Sequence, residues 1–298
     1  VLRLGLSFLA LAVGCGPTPD APTQVRRTRY ELATGAVGLS GLARDEQGTL
    51  WAVPERDRSL LALGQDGRVL REVRLEGVPE HCDTEAIAYL DEGRFALGTE
   101  ASGGTEHRDV VLEVDVDGDV ARVVETLTVD YAQLGVEAAD REGIEGLCFA
   151  AGRLVVGLEH PQPEGNARFA AFAVRGGRDS AWWGFRARLT SDFGEISALS
   201  CQAFGDRVTV YAIERGLGPL SLTGTRSWTS RVLAFDLPAE PGATVPTRVV
   251  VDLDQQIAER PNLEGLEVVG EDLWLVVDNH YGRVTGPSLL FHFPGLVD

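Results

Sequence analysis

The sequence predicts an all-β fold: a five-bladed β-propeller closed by an N-terminal strand, with a six-bladed ring as the alternative. Three observations predict it. A short motif, an acidic or hydroxyl residue followed by Gly or Ala and then Leu or Ile, occurs five times. The copies are Ser40-Gly41-Leu42, Glu85-Ala86-Ile87, Glu145-Gly146-Leu147, Ser197-Ala198-Leu199 and Glu264-Gly265-Leu266. Self-similarity at this spacing marks a repeat architecture. Each copy is followed 14 to 17 residues later by an acid that closes an apolar run: Glu55, Glu100, Glu159, Glu214 and Asp278. Finally, short apolar runs alternate with Gly-containing turns, and no segment carries a capped helical period.

The first repeat is the clearest. Leu39 to Asp45, Thr49 to Val53, Ser59 to Leu63 and Arg68 to Leu75 read as four antiparallel strands, with Asp66-Gly67 turning the last pair. Asp-Gly between apolar runs signals a hairpin because both central residues need positive φ. The second repeat runs through Glu85 to Leu90, Arg94 to Gly98, Val110 to Val116 and Val120 to Val129. The third uses Glu145 to Ala150, Arg153 to Leu158, Arg168 to Val174 and Trp182 to Leu189. The fourth uses Ser197 to Phe204, Arg207 to Ile213, Ser230 to Leu237 and Thr247 to Leu253. The fifth offers Glu264 to Val269, Asp272 to Val277 and Ser288 to Phe293, and lacks a fourth strand. Arg26 to Thr34 is available to supply it and so remove an open sheet edge. Pro161 to Asn166 and Gly216 to Trp228 read as loops that lengthen the motif spacing.

Residues 1–15 read as a secretory signal. Arg3 precedes the apolar run Leu4 to Val13, which meets Gly14-Cys15-Gly16. The run is too short to span a bilayer. Cys15 after Ala12-Val13-Gly14 resembles a bacterial lipoprotein cleavage site, with Cys15 as the lipidated residue. Residues 16–25 then form a Pro-containing tether, and 26–298 a single domain on the face of the cell envelope. The net charge of -18 disfavours nucleic acid and anionic membrane surfaces as partners and permits cation binding. The reading is a monomer held to the membrane only through its lipid. Cys82, Cys148 and Cys201 remain in the domain; an oxidising compartment permits one disulfide and one thiol, and their spacing matches no zinc pattern.

In a propeller the first strand of each blade lines the central channel. Ser40, Glu85, Glu145, Ser197 and Glu264 would then form an oxygen-rich ring. The second acids, with Arg56, Arg215 and Asn279, would approach the same rim. Gathered carboxylates must protonate, pair with Arg or bind a cation, and hard oxygen ligands suit Ca2+. A belt of carboxylates hydrogen-bonded to backbone N–H groups is the alternative. His160 and His280 follow two of the rim acids and join Arg215 as candidate catalytic groups around a small anionic or phosphorylated ligand. Asp115 to Asp119 lacks calcium-loop spacing and reads as a hairpin turn. No G-x-S-x-G, H-E-x-x-H or P-loop sequence is present.

Several segments resemble the phytase-like family called "esterase-like activity of phytase". They are Glu145-Gly146-Leu147, Ile196 to Leu199 leading to Ile213-Glu214-Arg215-Gly216, Ser230 to Leu237, and Asn262 to Leu266 leading to Val277-Asp278-Asn279. The order is also similar to SdiA-regulated five-bladed propellers. The resemblance implies a secreted propeller, calcium in its channel, and phosphoester or ester hydrolysis. The chain departs from calcium-dependent propeller phytases in having no Lys/Arg cluster at the rim beyond Arg56 and Arg215. A non-catalytic ligand- or protein-binding propeller of the envelope is the competing expectation.

Overall fold

A computed structural model of the chain describes residues 26–35, 38–101, 109–136, 143–164, 167–177, 180–220, 226–257, 259–279 and 287–297. The expected signal and tether, with Cys15, lie outside the described residues, as does His280. Among those residues the fold is all-β, with two single-turn helices.

The chain starts with β1 (Thr28–Glu31), then β2 (Leu39–Arg44), β3 (Leu50–Pro54), β4 (Ser59–Leu63) and β5 (Val69–Glu76). Next come β6 (Cys82–Asp91), β7 (Arg94–Ala101), β8 (Val110–Asp117), β9 (Val120–Thr128) and helix α1 (Tyr131–Leu134). β10 (Ile144–Ala150), β11 (Arg153–Glu164), β12 (Ala167–Gly176) and β13 (Trp183–Arg188) follow. Then come β14 (Glu195–Phe204), β15 (Arg207–Leu220), β16 (Arg226–Asp236), β17 (Thr244–Val245), β18 (Arg248–Asp252) and helix α2 (Leu253–Gln256). The chain finishes with β19 (Asn262–Val269), β20 (Asp272–Asp278) and β21 (Leu289–Phe293).

Antiparallel meanders dominate the pairing. β10 to β13 form one sheet with β17 added at its edge, and β14, β15, β16 and β18 form another. β2 to β5 and β6 to β9 are two meanders joined into an eight-stranded sheet by parallel pairing of β5 with β9, Arg74 opposite Val120. The last sheet runs β1-β21-β20-β19, so the N-terminal strand supplies its fourth member, with Thr28 opposite His292 and Glu31 opposite Leu289. The expected strands are therefore present. The segments expected to be loops at 161–166 and 216–228 are partly ladder instead: β11 and β15 continue past the ring as ribbons, with Gln162 opposite Phe169 and Leu217 opposite Trp228. The parallel β13–β17 contact was likewise not expected.

β2, β6, β10, β14 and β19 lie innermost and adjoin one another in that order, with β19 returning to β2. The second residue of each motif explains how they can. A Cβ on Gly146 would sit 2.9 Å from the backbone N of Leu199, and one on Gly265 3.0 Å from the backbone of Gly41 and Leu42. Neighbouring inner strands thus pack backbone against backbone, leaving no room for a Cβ at Gly41, Gly146 or Gly265, while the other two motifs carry nothing larger than Ala at this position. Between the sheets the core is aromatic and aliphatic. Trp51 packs on Phe95 at 5.0 Å, and Phe172 on Phe185 at 4.9 Å and Phe235 at 5.1 Å. Each such buried ring contributes roughly 1.5–3 kcal/mol of apolar burial. Cys148 and Cys201 form a disulfide between the inner strands β10 and β14, and Cys82 is a buried free thiol.

Candidate metal centre at the mouth of the ring

All five motif residues occupy the same structural feature. The register of each innermost strand skips one residue, at Ser40, Glu85, Glu145, Ser197 and Glu264 respectively. A β-bulge leaves its extra residue unpaired and re-aims the side chain. Five equivalent bulges thus turn five polar side chains toward one end of the axis, and all five are buried.

The second set of residues is fixed by cross-strand register. Glu55 N donates to Gly38 O at 2.7 Å, Glu100 lies opposite Asp83, and Glu159 N donates to Gly143 O at 3.1 Å. Asp278 lies opposite Asn262. In the fourth sheet the equivalent position, opposite Glu195, is Arg215 and not Glu214. The spacing rule places Glu214 one residue out of register. Its carboxylate instead faces the loop after β13, where it accepts hydrogen bonds from Ser191 N at 2.8 Å, Ser191 Oγ at 2.9 Å, Thr190 N and the Thr190 hydroxyl. Glu214 anchors that loop and does not face the mouth.

The carboxylates do not form the flat ring expected of the motif residues alone. Two triads form, in each of which one oxygen per residue lies within 4.8 Å of the others: Glu55, Asp83 and Glu85, and Glu100, Glu145 and Glu159. Glu264 is held apart from them. The Arg215 guanidinium lies 2.6 Å from Glu264 Oε1 and donates to Asn262 Oδ1. The Asn262 amide donates to Glu264 Oε1 at 2.7 Å and to Asp278 Oδ2 at 2.9 Å. Ser197 Oγ donates to the Leu263 carbonyl at 2.9 Å. Ser40 lies beside Glu85. Asn279 accepts from Gly38 N at 3.1 Å, and exposed Arg56 reaches Asp83 Oδ2 at 3.3 Å. The backbone of His160 continues β11, and its side chain lies outside the described residues.

Burial and mutual repulsion raise the carboxyls of Glu55, Glu85, Glu145, Glu159 and Glu264 above the usual carboxylate range. Burial is the largest cause throughout. Glu85 and Glu145 are pushed well above the usual carboxylate range, Glu145 by burial and then by Glu159 and Glu85. Glu159 is pushed up to about 8, with Glu195 adding to burial and Arg215 opposing it. Glu55 and Glu264 are each raised to about 7, opposed by Arg56 and Arg215 respectively. Burial disfavours the Arg215 charge, but Glu264, Glu145, Glu195 and Glu159 outweigh it and hold the guanidinium protonated. Two signs point to an absent ligand. Glu85 Oε1 and Arg215 Nε are buried without hydrogen-bond partners among the described residues.

Three oxygens from three carboxylates suit a hard cation of loose geometry; Ca2+ accepts six to eight oxygens at 2.3–2.6 Å. The axial space below the mouth is about 10 Å3 and is lined by Ser40, Glu145, Glu264 and the motif backbone. That volume accommodates one water or ion, so an organic ligand must sit on the mouth and not inside the ring. Asp83, Glu195 and Asn262 escaped the sequence reading. Their signal was present: each stands two residues before a motif residue, on the same innermost strand.

Solved structures similar to this chain share little sequence with it. The PQQ-bound aldose sugar dehydrogenase from Streptomyces coelicolor is 14% identical, with 92% of this chain and 99% of that chain covered and a TM-score of 0.44. A luciferin-regenerating enzyme is 14% identical over 85% of this chain and 73% of its own, with a TM-score of 0.49. A gluconolactonase from Xanthomonas campestris is 13% identical over 86% and 72%, with a TM-score of 0.44. Likeness at this level assigns no chemistry to the mouth. No curated protein matches the chain. The family pattern is specific where these are not: it matches residues 76–281, which include Glu85, Glu100, Glu145, Glu159, Arg215, Glu264 and Asp278, and the chain belongs to the phytase-like family described as esterase-like activity of phytase.

Proposed function

We propose that this protein is a five-bladed propeller of the bacterial cell envelope, secreted and lipid-anchored through Cys15, that binds calcium at its acidic mouth and hydrolyses a small phosphoester. The blade count rests on five innermost strands that adjoin in a closed order, each opening a meander of its own. The observation that carries the chemistry is the juxtaposition of two carboxylate triads with a buried, partly unsatisfied guanidinium, in a family named for esterase-like activity.

Glu55, Asp83, Glu85, Glu100, Glu145 and Glu159 are the residues that would hold the cation. A bound calcium supplies Lewis acidity, polarising a phosphoryl oxygen and orienting water. Arg215 Nε offers a free donor to the developing negative charge. Asn262 and Glu264 fix the Arg215 side chain in place. The narrow axial space keeps the ligand at the surface, where water is available. His280 and His160 complete the candidate catalytic groups.

The test is turnover of phytate and of a chromogenic phosphoester by the purified protein, with calcium or with chelator. Calcium-dependent hydrolysis that falls at least tenfold in Glu264→Ala is expected, because that change frees Arg215 from its position. Absence of metal-dependent turnover, with Glu264→Ala indistinguishable from the parent, contradicts the hydrolase. A second reading is favoured by one observation: the mouth hydroxyls of Ser40 and Ser197 are buried, and that of Ser197 is committed to the Leu263 carbonyl. On that reading the protein is a ligand-binding propeller with a structural metal. It predicts a calcium-dependent melting temperature without turnover, since a ligand bound only by the folded state raises stability.

A further inference from the structure

The axis of the ring has a second end. Three residues beyond the motif positions, roughly 10 Å further along each innermost strand, stand Ala43, Ala88, Cys148, Ser200 and Glu267. Here a space of about 50 Å3 opens on the axis, at the end away from the mouth. Its walls come from all five innermost strands: Arg44 from β2, Tyr89 from β6, Phe149 from β10, Cys201 from β14 and Glu267 from β19. Ile87 and Leu147 lie between it and the narrower space under the mouth, lining both.

Polar groups at this end lack partners. Arg44 Nε and the Tyr89 hydroxyl are each buried with no hydrogen-bond partner among the described residues. The acid next to Arg44 in the chain is committed elsewhere: Asp45 accepts from Thr49 N at 2.7 Å and from Trp51 Nε1 at 2.8 Å. The turn that follows backs the guanidinium, since a Cβ on Gly48 would sit 2.8 Å from Arg44 Nη2. On the other wall, Ser200 Oγ donates to Glu267 Oε2 at 3.3 Å. Burial pushes the Glu267 carboxyl up to about 8, with Ser200 and Arg44 opposing it. At neutral pH Glu267 is therefore protonated, and Oε1 is available as a donor.

We propose that this far end of the axis is a second ligand site, separate from the acidic mouth, that takes a small oxyanion between Arg44, Tyr89 and Glu267. The three side chains offer donors of matching sense: a guanidinium, a phenol and a neutral carboxyl. The planar fork of an arginine suits a carboxylate or phosphate, and its charge strengthens the bonds it gives. Size narrows the class. One water needs about 10–15 Å3 of such space, so about 50 Å3 admits roughly four or five heavy atoms. Acetate and phosphate meet that limit, and a sugar or nucleotide exceeds it. The site does not depend on the calcium-binding or hydrolytic reading of the mouth.

Titration calorimetry with sodium phosphate and, separately, with sodium acetate tests this against sodium chloride at matched ionic strength. Chelator is present throughout, so that no metal at the mouth can hold the anion. One oxyanion per chain is expected with millimolar affinity, and the comparison of the two titrations identifies it as phosphate or carboxylate. Affinity should fall at least tenfold in Arg44→Gln and several-fold in Tyr89→Phe, and stay within twofold of the parent in Arg215→Gln, which alters the mouth. If circular dichroism shows that Arg44→Gln has not folded, Tyr89→Phe carries the test, because it removes one oxygen and keeps the ring. No binding of either oxyanion at tens of millimolar overturns the proposal. Parent-like affinity in both Arg44→Gln and Tyr89→Phe also overturns it. Binding lost in Arg215→Gln but kept in Arg44→Gln places the anion at the mouth and overturns it as well.

Discussion

At the residue scale the mouth is governed by charges that burial makes costly. Glu55, Glu159 and Glu264 have carboxyls raised to about 7, 8 and 7, and Glu267, buried beside Ser200 at the other end of the ring, is raised to about 8. For an acid whose folded value exceeds its unfolded value near 4.5, the folded state binds more protons between the two. Stability then falls as pH rises through that window. The cation-free protein is expected to lose several degrees of melting temperature between about pH 4.5 and pH 8, and saturating calcium should remove most of that loss. A melting temperature that climbs steadily over this window without calcium would contradict the burial of ionisable carboxyls. Glu214 provides the contrast. Its carboxylate is satisfied by Thr190 and Ser191, so Glu214→Ala should cost about 1.5–3 kcal/mol in denaturant unfolding. Calcium affinity should stay within a factor of a few, and a large loss of affinity would return Glu214 to the mouth.

At the element scale, turn chemistry and motif spacing were legible in the sequence, and register was not. Asp66-Gly67 forecasts its hairpin, but of the two only Gly67 adopts the expected positive φ, 76°, with Arg68 N bonded to Asp66 Oδ1. The Gly or Ala of each motif was visible as a pattern, but its reason, the backbone contact between neighbouring inner strands, required the packing. The substitution of Arg215 for Glu214 was hidden because strand period is two. A slip of one residue moves a side chain to the opposite face, and the longer β14–β15 hairpin introduces that slip. The ribbons formed by β11 and β15 read as loops because their outer halves carry Pro and Gly. The Cys148–Cys201 disulfide was one of several open pairings. It closes a separation of 53 residues between adjacent inner strands, worth about 4 kcal/mol on the loop-entropy scale. Cys148→Ser should therefore lower the melting temperature by roughly 10 °C, with the same drop in the parent under reductant. An equal response of the variant to reductant would show that the bond does not form.

At the scale of the whole molecule, closure of the ring makes the site. β1 completes the last sheet and leaves the innermost strands in an unbroken order, so acids from residue 55 to residue 278 meet at one mouth. The sequence announced that convergence through its five-fold echo. It did not announce the grouping into triads, because which rim acid meets which bulge acid depends on the neighbouring meander. The central claim is that these triads hold cations. A crystal structure grown with calcium at neutral pH tests it most directly. The expected result is strong anomalous density about 2.3–2.6 Å from carboxylate oxygens of Glu55, Asp83 and Glu85. Triads bridged only by water, with no anomalous signal at saturating calcium, would contradict it.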